Sequence, residues 1–158
     1  MYYLIILAVI ILDQATKSLI RANLDLNQSI TVIGGVLNLT YIKNFGAAFS
    51  ILQNRQVFLV AFTAAVSSII FILLVRNIRK AHWTMLLSLS LIIGGGVGNM
   101  IDRIRTGFVV DFLEIRLFSF PVFNVADMAV VGGSILLIVY ILFFDHSLKL
   151  KGKDADAN

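Results

Sequence analysis

Apolar residues run in four long blocks along the chain, and few charges interrupt them. A helix needs about 20 mostly apolar residues, at a rise of about 1.5 Å each, to cross the hydrocarbon of a bilayer. The segments at about 2–20, 57–75, 83–101 and 125–144 meet that requirement. Backbone in lipid must satisfy its own hydrogen bonds, so these runs are expected to be helices. Between the first two blocks the period changes. Leu37, Leu39 and Tyr41 alternate with Asn38 and Thr40, which is strand period. Gly34-Gly35 separates 30–32 from 36–41 and predicts a small hairpin. Residues 108–112 also read as extended. The expected fold is an all-α membrane protein, with four transmembrane helices and a small β-rich extracytoplasmic element. Residues 1–158 form one integral membrane domain in this reading. Residues 54–56 and the end of the chain read as solvated, with 149–158 a disordered tail.

Composition agrees with a bilayer as solvent. Hydrophobic residues make up 59% of the chain and charged residues 14%, against about 25% charged in a soluble domain. The absence of cysteine excludes disulfides, thiol catalysis and thiolate metal sites. A net charge of +4 fits loop topology and anionic headgroups better than nucleic acid. The apolar run at 2–12 has no preceding Lys or Arg and leads into Asp13, Gln14 and Lys17 rather than a cleavage site. It reads as a retained first span.

Basic residues set the expected orientation. Arg76, Arg79 and Lys80 crowd the short second loop, and Lys149, Lys151 and Lys153 lie in the tail. The other side carries Lys17, Arg21, Lys43, Arg55, Arg103, Arg105 and Arg116, spread over longer segments. The tally is six against seven, so density decides it. Both termini are expected in the cytoplasm.

Charged groups in a span cost about 2.5–3.5 kcal/mol each on insertion scales, so their placement carries information. Alternation of four spans brings Asp13 and Lys17, then Asn99, Asp102 and Arg103, then Asn124 and Asp127 to one side of the bilayer. Asp111 joins them from the short connection between the last two spans. Several of these residues have local explanations. Asp13 and Lys17 stand four apart and can pair on one helix face, as readily as serve a site. Asp102 beside Arg103 reads first as an interfacial ion pair. Asn124 and Asp127 match a capping box for the fourth helix. Gly94, Gly95, Gly96 and Gly98 allow close helix approach. Asp111 has no such explanation, because it stands in an apolar run, Phe108-Val109-Val110-Asp111-Phe112-Leu113.

Two carboxylates close together in a place of low dielectric share a proton, and such a pair can activate water. Asp111 and Asp127 are the best candidates for that pair, with Pro121 folding the chain back between them. Other chemistries fit less well. His82 and His146 lie at the far end of their spans, which argues against a Ser-His-Asp triad and against histidine-held zinc. Ser18 adjoins Lys17 and points to another face, which argues against a Ser-Lys dyad.

The chain resembles the lipoprotein signal peptidase (signal peptidase II) family of bacterial aspartyl proteases. The resemblance rests on five blocks in order. They are Asp13-Gln14 with Lys17; Asn44-Phe45-Gly46-Ala47-Ala48-Phe49; Gly95-Gly96-Val97-Gly98-Asn99-Met100-Ile101-Asp102-Arg103; Val109-Val110-Asp111-Phe112; and Phe123-Asn124-Val125-Ala126-Asp127. It implies a membrane enzyme that cuts the signal peptide from diacylglyceryl-modified prolipoproteins just before the lipidated cysteine. It implies Asp111 and Asp127 as the catalytic pair. Asn99, Arg103, Asn124, Asn44, Gly46, Asp13 and Lys17 would support the pair or the substrate, and Asp102 would be structural. No cofactor, metal or nucleic acid is implied. Lipidated prolipoproteins and membrane lipids are the implied partners, in the bacterial cytoplasmic membrane with the site toward its outer face. The segment from Asn44 to Phe49 is a candidate lid. The chain departs from the family pattern at Met128, where a serine often follows the second aspartate. Its spacing from Asp111 to Asp127 is also short. A small proton- or cation-coupled transporter would place a carboxylate nearer mid-membrane. A scaffolding subunit would leave Asp111 unexplained.

Overall fold

A computed structural model describes residues 1–46 and 52–144. Ala47, Ala48 and Phe49, half of the candidate lid, lie outside the described residues, as do His146 and the 149–158 tail. The elements run α1 (Tyr2–Asn23), β1 (Ser29–Ile33), β2 (Leu37–Asn44), α2 (Gln56–Asn77), α3 (Trp83–Thr106), β3 (Val109–Ile115) and α4 (Val125–Phe143). All four helices are long and apolar enough to cross a membrane. Together with the three-stranded sheet they make the fold expected from the sequence.

α3 is the centre of the bundle. It packs against α1, α2 and α4, and it buries Leu86, Leu89, Ile93, Gly94, Gly95, Gly98 and Asp102. The other helices keep large apolar side chains outward, among them Leu4, Phe62, Ile69, Ile135 and Ile138, as lipid requires. Small residues make the close crossings. A Cβ on Gly95 would collide with the Ala126 carbonyl, so this glycine lets the first turn of α4 lie on α3. α3 runs to Thr106, beyond the apolar block, so Asn99, Asp102 and Arg103 share one continuous helix. It ends at Gly107, whose φ of 78° a side-chain-bearing residue rarely adopts, and the Gly107 N–H donates to the Arg103 carbonyl at 3.1 Å.

The sheet is antiparallel, in the order β1-β2-β3. The expected hairpin is β1 and β2, and the extended stretch after α3 is β3. Ile42 pairs with Asp111, Lys43 with Val110 and Asn44 with Val109. Ile20 and Leu24 from α1, Tyr41 from β2, and Val110 and Phe112 from β3 form one buried cluster. That cluster seats β3 at the end of the bundle. An isolated bridge between Leu113 and Phe123 then folds the chain back into α4.

Candidate active site

Asp111 sits on β3, nearly fully buried, directly above the start of α4. Its Oδ2 accepts from Asn44 Nδ2 at 3.0 Å, and its Oδ1 accepts from Asn124 Nδ2 at 2.7 Å. Asp127 is in the first turn of α4. Its Oδ1 accepts from Asn99 Nδ2 at 2.7 Å, and its Oδ2 accepts from the Asn124 backbone N–H at 3.1 Å. Asn124 therefore touches both carboxylates, one through its side chain and one through its backbone.

The capping box expected from the sequence is present: Asn124 Oδ1 accepts from the Asp127 N–H at 2.9 Å. The cap and the site are the same atoms, so neither explanation displaces the other. The cap also fixes which way the amide faces. With Oδ1 held by the Asp127 N–H, only Nδ2 is left for Asp111. Asn44 is fixed in the same way, since its Oδ1 accepts from the Gly46 N–H at 2.9 Å. Asn99 Oδ1 accepts from Lys17 Nζ at 2.8 Å and from Asn124 Nδ2 at 3.2 Å, which turns its Nδ2 to Asp127. Each asparagine thus has one side anchored and presents N–H to a carboxylate.

Lys17 is wholly buried. It pairs with Asp13 at 3.0 Å and with Asp102 at 3.2 Å. The pairing of Asp13 with Lys17 read from their spacing is present, and it is one part of a larger network. The reading of Asp102 and Arg103 as an interfacial ion pair is not what the chain adopts. Asp102 is 1% exposed and turns inward to Lys17 and to the Val110 N–H. Burial drives this choice, because a carboxylate removed from water needs a countercharge and donors on the same inner face. Asp13 Oδ1 accepts from the Ala126 N–H at 3.0 Å, which ties α1 to the residue before Asp127.

Gln14, which adjoins Asp13 in the first motif, is a further residue of this network. Its Nε2 lies 3.1 Å from Asp13 Oδ2, 3.1 Å from the Gly98 carbonyl and 3.2 Å from Asp102 Oδ1. A neutral amide beside Asp13 in a lipid span was the available signal. Arg103 Nη2 donates to the Gly46 carbonyl at 2.8 Å, so Gly46 is held between Arg103 and Asn44. Arg103 Nε is buried with no partner among the described residues.

Burial is the main force on Asp111, with Asp127 adding to it, and together they push its carboxyl up to about 7 from 3.8. The hydrogen bonds from Asn44 and Asn124 and the charge of Lys17 oppose that rise. Both aspartates open on one apolar cavity of about 870 Å³. α2, α3 and α4 form its walls, and the 120–123 link and β2 form its upper rim. Met128, at the position where the family often has serine, lines this cavity with 55% of its surface exposed. Among the described residues no group of three or more His, Cys, Asp or Glu is placed to hold a metal ion. His82 caps the other end of α3, which is roughly 25 Å from Asn99 at the rise of a helix.

Residues 5–143 match the family model described as signal peptidase (SPase) II. The chain belongs to the signal peptidase II family. It is 48% identical over 136 residues to a lipoprotein signal peptidase of Streptococcus thermophilus, covering 86% of this chain and 88% of that one. It is 51% identical over 138 residues to a lipoprotein signal peptidase of Brevibacillus brevis, covering 87% and 92%. A solved bacterial membrane enzyme structure superposes with a TM-score of 0.80 at 38% identity, covering 89% of this chain and 87% of that one. Signal peptidase II membership makes the chain a peptidase, and its four apolar helices make it a multi-pass membrane protein.

Proposed function

We propose that this chain removes the signal peptide from diacylglyceryl-modified prolipoproteins, just before the lipidated cysteine, by aspartyl chemistry at Asp111 and Asp127. The observation that carries this reading is the pair of carboxylates, Asp111 buried and Asp127 partly buried, joined by Asn124 at the mouth of an apolar cavity. The lipoprotein signal peptidases to which the chain is similar support the choice of substrate.

In this mechanism the two carboxylates hold one proton and a water between them. Asp111, whose carboxyl stays protonated to about 7, donates a hydrogen bond to the scissile carbonyl oxygen. Asp127 sits at the N-terminus of α4, where N–H donors favour negative charge, and takes a proton from the water. Attack on the carbonyl carbon gives a tetrahedral intermediate. The peptide C–N bond then breaks as the cysteine amine takes up a proton from the pair. Asn44, Asn99 and Asn124 hold the carboxylates in place, so little reorganisation is needed during the step. Asp13, Lys17 and Asp102 anchor Asn99 and the base of α4. Arg103 and Gly46 bring the β2 end over the cavity. The termini lie in the cytoplasm and the site faces the outer leaflet, where a lipidated substrate arrives laterally.

The test is cleavage of a diacylglyceryl-modified prolipoprotein by the purified protein, with products mapped by mass. A cut immediately before the modified cysteine is expected, with the unmodified precursor left intact. Equal cleavage of the unmodified precursor would contradict the substrate assignment.

A further inference from the structure

The cavity does not end at the aspartates. Asn99, Gly96 and Ile92 of α3 all line it, so it reaches about 10 Å below Asn99 into the bundle at helical rise. Its lining below Asn99 is apolar with two exceptions, Thr63 and Ser67 of α2. They are four apart and so lie one above the other on the same face of α2.

Their hydroxyls differ from those of the other serines and threonines in the spans. Ser68 donates to the Ala64 carbonyl, Ser88 to Met85, Ser90 to Leu86, Ser134 to Val130, Thr16 to Leu12 and Thr106 to Asp102. Each of these is turned back on its own helix, the usual way to satisfy a hydroxyl in lipid. Thr84 bonds His82, and Ser18 accepts from Arg21. Thr63 and Ser67 form no hydrogen bond among the described residues, and both border the cavity. Helix packing against Gly96 explains small side chains on α2, but alanine would serve that purpose equally. An unbonded hydroxyl in apolar surroundings costs free energy, so the two have a use when the cavity is filled.

Resting on the peptidase reading above, we infer that Thr63 and Ser67 donate hydrogen bonds to carbonyl oxygens of the bound substrate, one to two helical turns below the scissile bond. A peptide must be extended to reach the aspartates, and extension frees backbone carbonyls that lipid cannot satisfy. The signal peptide leaves the site on the membrane side, so these carbonyls descend past Gly96. The ester carbonyls of the diacylglyceryl group offer the same acceptor chemistry. Thr63 and Ser67 are positioning residues, since neither reaches the reacting atoms.

The experiment compares wild type, the double variant Thr63→Val/Ser67→Ala and the control Ser68→Ala on a diacylglyceryl-modified prolipoprotein peptide. The double variant is expected to lose about tenfold in kcat/KM, mostly through KM, as for the loss of two ordinary hydrogen bonds. Ser68→Ala should stay within about twofold, since its hydroxyl only bonds its own helix. Thermal unfolding should be unchanged in both. Substrates then carry a thioamide, a weak acceptor, at the second, third or fourth residue before the cut, or ether-linked in place of ester-linked chains. A substitution that weakens turnover by wild type but not by the double variant identifies the acceptor. Coupling to a thioamide assigns the peptide, and coupling to the ether assigns the lipid. Additive losses throughout, or a double variant equal to wild type, overturn the inference. Failure of wild type to cleave any of these substrates would instead overturn the peptidase reading beneath it.

Discussion

Asn124 Nδ2 donates to Asp111 Oδ1 at 2.7 Å, and the same side chain caps the helix that carries Asp127. Serine caps a helix about as well as asparagine but cannot also reach across to Asp111. Asn124→Ser is therefore expected to keep stability within about 1 kcal/mol while kcat falls by roughly tenfold or more. The lost donor had favoured ionised Asp111, so the alkaline limb of the pH–rate profile should move to higher pH. Unfolding curves and a pH profile of kcat check the two halves separately.

The unmodified site should itself lose activity as pH rises through about 7. Burial raises Asp111 from 3.8 to about 7, so the proton that the mechanism needs is lost there. The stability consequence has a definite sign. Between about pH 4 and 7 the folded chain keeps a proton that the unfolded chain has released. Stability from this group is full below that window and declines as pH rises through it. Asp111→Asn removes the burden of the buried charge, so it should raise Tm more at pH 8 than at pH 4. Thermal unfolding at the two pH values measures this.

Lys17 holds Asp13 at 3.0 Å and Asp102 at 3.2 Å with no exposure to solvent. Lys17→Met would strand two buried carboxylates, at a cost of about 3–5 kcal/mol. The triple variant Asp13→Asn/Lys17→Met/Asp102→Asn should recover a substantial part of that loss. Denaturation in detergent compares the three proteins, and equal loss in the single and triple variants would show that the ion pairs are not what Lys17 provides.

A Cβ at Gly95 meets the Ala126 carbonyl, next to Asp127. Gly95→Ala should force α4 away from α3, with a loss of about 1–3 kcal/mol and a fall in kcat as Asp127 leaves Asn99. Tm and kcat, measured on one preparation, read both effects.

The membrane spans were legible because hydropathy and length are local properties. The level shared by Asp13, Asn99, Asp111, Asn124 and Asp127 was legible too, since it needs only alternating spans. What sequence spacing could not give was partner choice. Asp102 looked paired with its neighbour Arg103, yet it turns to Lys17 on another helix, because α3 buries that face. The role of Gln14 is hidden for a similar reason. Two of its three contacts lie 84 and 88 positions away, and no local pattern encodes those. The dual role of Asn124 was half visible: the cap is a four-residue motif, but its reach to Asp111 depends on where β3 lands. The Thr63 and Ser67 pair carries no motif at all and stands out only against the serines and threonines whose hydroxyls bond their own helices.

The most direct measurement is cleavage of a diacylglyceryl-modified prolipoprotein by wild type, Asp111→Asn and Asp127→Asn, each first shown to be folded by thermal unfolding. The expected result is a single cut before the lipidated cysteine by wild type and loss of at least about a thousandfold in both variants, since neither half of the pair works alone. A folded Asp111→Asn or Asp127→Asn protein that cuts at a rate near wild type would contradict the aspartyl pair.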